Sequence, residues 1–301
     1  MKVFKNILFD FLKGICIGIA NVIPGFSGGT MAVILKVYER VIGAFSNITK
    51  KPFQTIKDIW AILLGLAAGV LIAAVTIVFL LEIAPLPTMM FFVGLLLGSI
   101  PDIFKQYKAK GKFSYYNLLY FLIAVALIVT LPLINTSSKV VTDVDIWQLL
   151  IIFLLGTIAA AAMIIPGVSG SMILMIFCYY DFVMTSIKSF FESVLLLDFN
   201  NMLSNLYVLI AFGLGCVVGI VLISKLLTFL FNKYSKCTYA LILGLLIASP
   251  FSMLFSANNE YPNFFSDKWY FYLISLITLA MGLFVTLFLS KLGGENENKD
   301  K

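Results

Sequence analysis

The chain has 301 residues, 61% of them hydrophobic and 12% charged, and a mean hydropathy of +1.04. That balance excludes a soluble domain, which needs a more polar surface. It specifies an all-α polytopic membrane protein, because apolar runs of about 20 residues suit helices and not barrel strands. The net charge of +6 would suggest nucleic acid as partner in a soluble protein. Here the basic residues sit between apolar runs, so the membrane accounts for them and nucleic acid is not expected.

Histidine is absent, which removes the usual proton shuttle and the usual zinc or copper ligand; no metal or cofactor is expected. Cys16, Cys178, Cys216 and Cys237 are isolated in apolar runs and read as small core residues. The N-terminus shows no small-residue cleavage site, so no removable signal peptide is expected.

In chain order, residues 2–13 are amphipathic and expected to lie in the membrane interface, or else to form a frayed start to the next helix. Residues 14–45 hold a broken helix. Its centre, residues 21–30, reads Asn-Val-Ile-Pro-Gly-Phe-Ser-Gly-Gly-Thr, where Pro24-Gly25 is a strong breaker and Gly28-Gly29 leaves the backbone bare. A polar linker, 46–58, precedes spans at 59–81, 87–104 and 115–133, with a basic loop after the second and a polar connection at 135–145. The order then returns: a broken helix in 147–186, spans at 206–224 or on to 231, 238–255 and 269–289, and a polar tail, 291–301, expected to be disordered.

Two repeats, 1–134 and 135–290, account for this order. Gly14, Pro24, Gly25, Ser27, Gly28, Tyr38 and Glu39 match Gly156, Pro166, Gly167, Ser169, Gly170, Tyr180 and Asp181 at an offset of 142. Gly65, Gly69 and Gly94 match Gly215, Gly219 and Gly244 at an offset of 150. Charge decides the topology. If each broken helix is re-entrant, each repeat has three spans and the two are inverted. With both termini cytoplasmic, 18 of the 21 basic residues then fall inside and only Lys139, Lys188 and Lys268 outside. Full crossing by the broken helices would move Lys50, Lys51 and Lys57 outside and degrade that bias. Six spans plus two re-entrant hairpins, entering from opposite faces, are therefore expected.

Two such hairpins can bring their turns to one ligand near the midplane. Helix N-termini and hydroxyls favour an anion, and the turns carry no carboxylate for a cation. The expected binding residues are Ser27, Gly28, Gly29, Thr30, Ser169, Gly170 and Ser171. Amino acids, inorganic anions and phosphate headgroups all remain open on this ground. Arg40 is the sole arginine; it reads either as a bidentate phosphate donor or as a positive-inside charge. Glu39 and Asp181, at matching positions, read as carboxylates coupling protons or sodium to transport, or as helix-end residues.

Residues 18–40, with the first turn followed by Val-Tyr-Glu-Arg, resemble the signature of the PopT-type polyprenyl-phosphate translocases, long catalogued as a domain of unknown function. The similarity runs through the second Pro-Gly-Val-Ser-Gly to about residue 289; Ser171 stands where the first turn has Gly29. The resemblance implies a bacterial plasma-membrane protein that returns undecaprenyl phosphate, the lipid carrier of cell-wall synthesis, from the outer to the inner leaflet. Its head would be held between the repeats and its tail left in lipid. One alternative is an undecaprenyl-diphosphate phosphatase, which shares inverted repeats and a Pro-Gly-x-Ser turn. There the motif continues with arginine and serine; here glycine follows Ser27 and Ser169, and the first hairpin has no Glu-x-x-x-Glu pair. A small-anion secondary transporter is the other.

Overall fold

The computed structural model describes residues 2–23, 27–111, 115–133, 145–196, 198–261, 264–265 and 268–297. Pro24, Gly25 and Phe26 of the first turn, most of the 135–145 connection and the end of the tail lie outside them. Among the described residues the fold is all helical, with twelve α-helices and one short 3-10 helix. In order these are α1 (Lys2–Val22), α2 (Gly28–Ile34), α3 (Tyr38–Asn47), α4 (Pro52–Ile83), α5 (Pro85–Ala109), α6 (Tyr115–Thr130), α7 (Ile146–Ile164), α8 (Gly170–Ile176), α9 (Tyr180–Leu196), α10 (Phe199–Lys233), α11 (Ser235–Glu260) and α12 (Trp269–Glu297).

Local chemistry sets many of the boundaries. Pro52 and Pro85 start α4 and α5 at positions that need no N–H. Asp145 and Asp198 cap α7 and α10 by accepting from Gln148 N (2.8 Å) and Asn201 N (3.3 Å). Several boundaries differ from the sequence reading, and α4 starts at Pro52, inside the expected 46–58 linker. The interfacial segment 2–13 is not separate, since α1 runs unbroken through it to Val22. The tail is helical as far as Glu297, because extending an existing helix costs little once it is nucleated. Each broken helix also breaks twice, after the turn and again at residues 35–37 and 177–179.

The second breaks are alike. Lys36 (φ 58°) and Cys178 (φ 63°) adopt the left-handed conformation. Val37 N and Tyr179 N donate back to Ala32 O and Leu174 O, closing α2 and α8 as Schellman-type ends. The axes of α8 and α9 diverge by 113° across this break.

Among the described residues six helices are long and apolar enough to cross a membrane: α4, α5, α7, α10, α11 and α12, over at least part of each. α6, expected as a span, has only 16 residues before its 3-10 end, whereas α7, expected as a hairpin arm, has 19. Large apolar side chains along these helices are exposed, among them Leu71, Val217 and Phe284. Such a belt is stable only against lipid.

Packing partners recur down the chain. α1 lies on α4 and α7 on α10; α5 lies on α12 and α6 on α11. The crossings use the repeated glycines. A Cβ on Gly65 or Gly69 would meet the carbonyls of Phe11 or Ile15 at 2.1 Å, and one on Gly215 or Gly219 those of Phe153 or Thr157 at 2.1 Å. These small-residue pairs thus serve close helix approach. The two second breaks sit at different ends of the long helices. Lys36 and Arg40 reach Asp102 near the end of α5 and Asp58 near the start of α4. Tyr180 instead stands within electrostatic reach of Glu260 at the end of α11, and Tyr261 within reach of Glu82 at the end of α4.

Candidate functional site

The two turns meet in the middle of the chain's packing. Ser27 caps α2, its Oγ accepting from Thr30 N (3.2 Å). Counting donors fixes the rest. Gly167 N–H donates to Thr30 Oγ1 (2.8 Å), so the Thr30 hydroxyl proton is free for Ser27 Oγ (3.0 Å), and the Ser27 proton goes to Ile165 O (3.3 Å). One hydrogen-bond chain therefore stitches the first turn to the second. Ser27 and Thr30 are buried, and Tyr38 adds a bond from its hydroxyl to Ile164 O (3.1 Å). Gly29 lets the backbones touch, for a Cβ there would lie 2.2 Å from Ile164 O. Gly167, with φ +83°, holds a conformation that only glycine adopts without strain.

Against this joint lies a cavity of about 210 Å³. Its polar wall is Asn21, Ser27, Ser169, Gly170 and Ser171; its apolar wall comes from Ala159, Ala160 and Met163 of α7, Leu174 of α8, Met184 of α9, and Phe212 and Cys216 of α10. Ser169 and Ser171 share a hydrogen bond (2.7 Å), and Ser169 caps nothing.

Asn21 was not among the expected site residues. Its Oδ1 accepts from Gly28 N (2.9 Å), and its amide lies flat against Gly28, where a Cβ would approach both terminal atoms to 2.6 Å. A backbone N–H can only donate, so this bond fixes which end of the amide is oxygen. Asn21 lines the cavity, and its Nδ2 donor has no partner among the described residues. At the offset of 142 the matching position is Met163.

The expected site residues thus divide. Ser169, Gly170 and Ser171 line the cavity, as does Ser27. Thr30 and Gly29 serve the joint between the turns. Gly28 N is already taken by Asn21, and α2 and α8 are seven residues long. Such stubs sum few peptide dipoles, so individual donors matter more than a helix macrodipole. Arg40 is outside the cavity. Its Nη1 pairs with Asp10 Oδ2 (2.8 Å), its Nη2 donates to Asp58 O (2.6 Å), and its side chain is 47% exposed. Glu39 accepts from the Tyr239 hydroxyl, joining α3 to α11. Asp181 is exposed in the first turn of α9, where a carboxylate suits the helix end. Among the described residues no three of His, Cys, Asp and Glu gather as a metal site would require.

Residues 17–261 match the family described as undecaprenyl phosphate translocase-like. The chain is 30% identical to the polyprenyl-phosphate transporter of Staphylococcus aureus over 304 aligned residues, covering 99% of this chain and 100% of that one. It is 28% identical to the polyprenyl-phosphate transporter of Vibrio cholerae over 258 residues, 81% of this chain and 76% of that one. No solved structure matches. With most of its length inside the family match, this chain belongs to the undecaprenyl phosphate translocase-like family.

Proposed function

We propose that the chain carries polyprenyl phosphate, in particular undecaprenyl phosphate, from the outer to the inner leaflet of the bacterial plasma membrane, where it is reused as a cell-wall lipid carrier. Its relatives are named transporters, so it moves the lipid and performs no chemistry on it. The observation that carries the site is the fixed Asn21 amide facing the Ser169–Ser171 pair across one cavity. Donors of this kind replace part of the hydration that a phosphate loses on leaving water. Unaided, that loss costs on the order of tens of kcal/mol. Met184, Phe212 and Cys216 on the apolar wall suit the first prenyl units, with the rest of the tail in lipid.

The repeats are inverted and the hairpins re-entrant in this reading. The recurring helix pairs and the two second breaks, found at different ends of α4, α5 and α11, support it. The cavity is then reached from the end where α9 begins. At the other end α3 lies on α10, and Tyr38 and Glu39 are bonded to Ile164 and Tyr239. Transport alternates which end is closed, with protons or sodium as candidate coupling ions. Both termini lie in the cytoplasm.

Asn21→Asp tests the site. The substitution is isosteric and keeps the acceptor for Gly28 N–H, but it turns the cavity donor into an acceptor with negative charge. Losing one hydrogen bond to a charged group should cost about 1.5–3 kcal/mol, and repulsion adds to it, so transport in reconstituted vesicles falls at least about tenfold. Unchanged thermal stability is expected alongside. Wild-type transport by Asn21→Asp would remove the head from this cavity. Undecaprenyl diphosphate should be left intact by the purified protein.

A further inference from the structure

Where α5 ends and α11 begins, each lays a lysine on the other's tyrosine. Lys110, the residue after α5, has its Nζ 5.9 Å from the centre of the Tyr239 ring, and Lys236 of α11 has its Nζ 5.2 Å from that of Tyr107. Lys236 also donates to Gly111 O. A third ammonium, that of Lys108, lies 4.7 Å over Phe104, and the Phe104 and Tyr107 rings are stacked with centres 6.2 Å apart. Tyr107 and Tyr239 are buried, so the floor beneath two of these lysines belongs to the packed fold. An aromatic face attracts a cation but does not neutralise it.

No carboxylate answers these charges. Residues 103–111 and 225–240 contain neither Asp nor Glu, and among the described residues Lys108, Lys110 and Lys236 take part in no ion pair. The general preference for lysine on one membrane face needs charge alone, and Lys50, Lys51 and Lys57 meet it with nothing to hold them. Here rings and a carbonyl fix the ammonium groups, at a cost in side-chain freedom. An apolar strip leads up to them. Leu97, Pro101 and Phe104 are exposed, and their spacing of four and three residues puts them on one face of α5, with Lys108 four residues further along it. Fixed cations at the end of a lipid-facing strip match a lipid with an anionic head.

We infer that Lys108, Lys110 and Lys236 bind the phosphodiester head of an acidic phospholipid, whose acyl chains lie along the strip from Phe104 to Leu97. The bound head supplies the missing negative charge and fastens the end of α5 to the start of α11. Neither helix contributes a residue to the cavity between the turns, so the lipid held here is a resident one and the inference does not depend on what fills that cavity.

The test is the binding of spin-labelled phosphatidylglycerol to the full-length protein in phosphatidylcholine nanodiscs, read as the immobilised fraction of the label. The wild type should immobilise it in preference to spin-labelled phosphatidylcholine. Lys236→Gln should lower the relative association constant by about fivefold, and Lys236→Arg should keep it near the wild-type value. Lys108→Gln with Lys110→Gln supplies an independent check should Lys236→Gln fold poorly, with a loss at least as large expected. Lys57→Gln, which removes a lysine outside the cluster, should change nothing. Absence of preference for phosphatidylglycerol in the wild type would overturn the site. So would an equal loss in Lys57→Gln, because a diffuse surface potential would then be enough. Unlabelled phosphatidylglycerol should displace the label, whereas inorganic phosphate and farnesyl phosphate should not. Displacement by inorganic phosphate would make this a site for free anions, and displacement by farnesyl phosphate alone would make it a station for the transported lipid; either result refutes a resident phospholipid.

Discussion

A single hydroxyl, that of Thr30, both receives Gly167 N–H and passes its own proton to Ser27, at a fully buried position. Thr30→Val keeps the shape and removes both bonds, leaving Gly167 N–H buried without an acceptor. The expected cost is about 1–3 kcal/mol, seen as a lower thermal midpoint in detergent, while Thr30→Ser stays close to wild type. Equal midpoints for Val and Ser would mean that the chain of hydroxyls does not hold the turns together. The sequence marks Ser27 and Thr30 as special but not in what way. A hydroxyl in Ser-Gly-Gly-Thr looks the same whether it faces a ligand or a carbonyl, and here that carbonyl is 138 residues away. Asn21 is harder still to find. It lies inside what reads as an apolar helix, and its bond to a residue seven positions on belongs to no local capping pattern.

The elements on either side of each turn are short because each ends in a left-handed residue, and neither residue is the glycine that usually marks such an end. That is why the stretch 31–45 reads as one helix although it is two. The cost of the choice is measurable at Cys178, which, unlike Lys36 with its Asp102 partner, carries no ion pair. Cys178→Gly removes an unfavourable φ of 63° at the price of some unfolded-state entropy. The net should be a stabilisation of about 0.5–1 kcal/mol, read as a raised midpoint. Cys178→Val, which adds β-branching at the same φ, should lower it. A Cys178→Gly protein less stable than wild type would show that the thiol, which approaches Ile176 O at 3.9 Å, matters more than the backbone. By contrast, the apolar cores of α4, α5, α10, α11 and α12 were legible from hydropathy, whereas α7 reads as a hairpin arm and α6 as a span. The starts of α4 and α5 at Pro52 and Pro85 lie ahead of the expected 59 and 87, because each proline suits the first turn of a helix and polar residues extend it beyond the apolar core.

At the scale of the molecule, the offsets of 142 and 150 set α1 beside α7, α4 beside α10 and α5 beside α11 in sequence, and α1 packs on α4 while α7 packs on α10. What no offset could foretell is where the counterparts differ. α3 is tied to α11 through Glu39 and Tyr239 and also lies on α10, whereas α9 packs on α10 and α8, beside the cavity. A transporter that rested in one of two states would differ between its two ends in this way. Cys216, in the cavity wall, can report that state. In a protein with Cys16, Cys178 and Cys237 replaced by alanine, a maleimide reagent should label Cys216, and bound farnesyl phosphate should protect it. Tyr239→Phe deletes the hydroxyl that Glu39 accepts from, and a bond to a carboxylate contributes about 1.5–3 kcal/mol. If that bond helps to hold the α3 end shut, its loss lets that end open and the cavity close on the α9 side. The labelling rate should then drop by up to about tenfold. Labelling that is unchanged in Tyr239→Phe would mean that the two ends are not coupled through this contact.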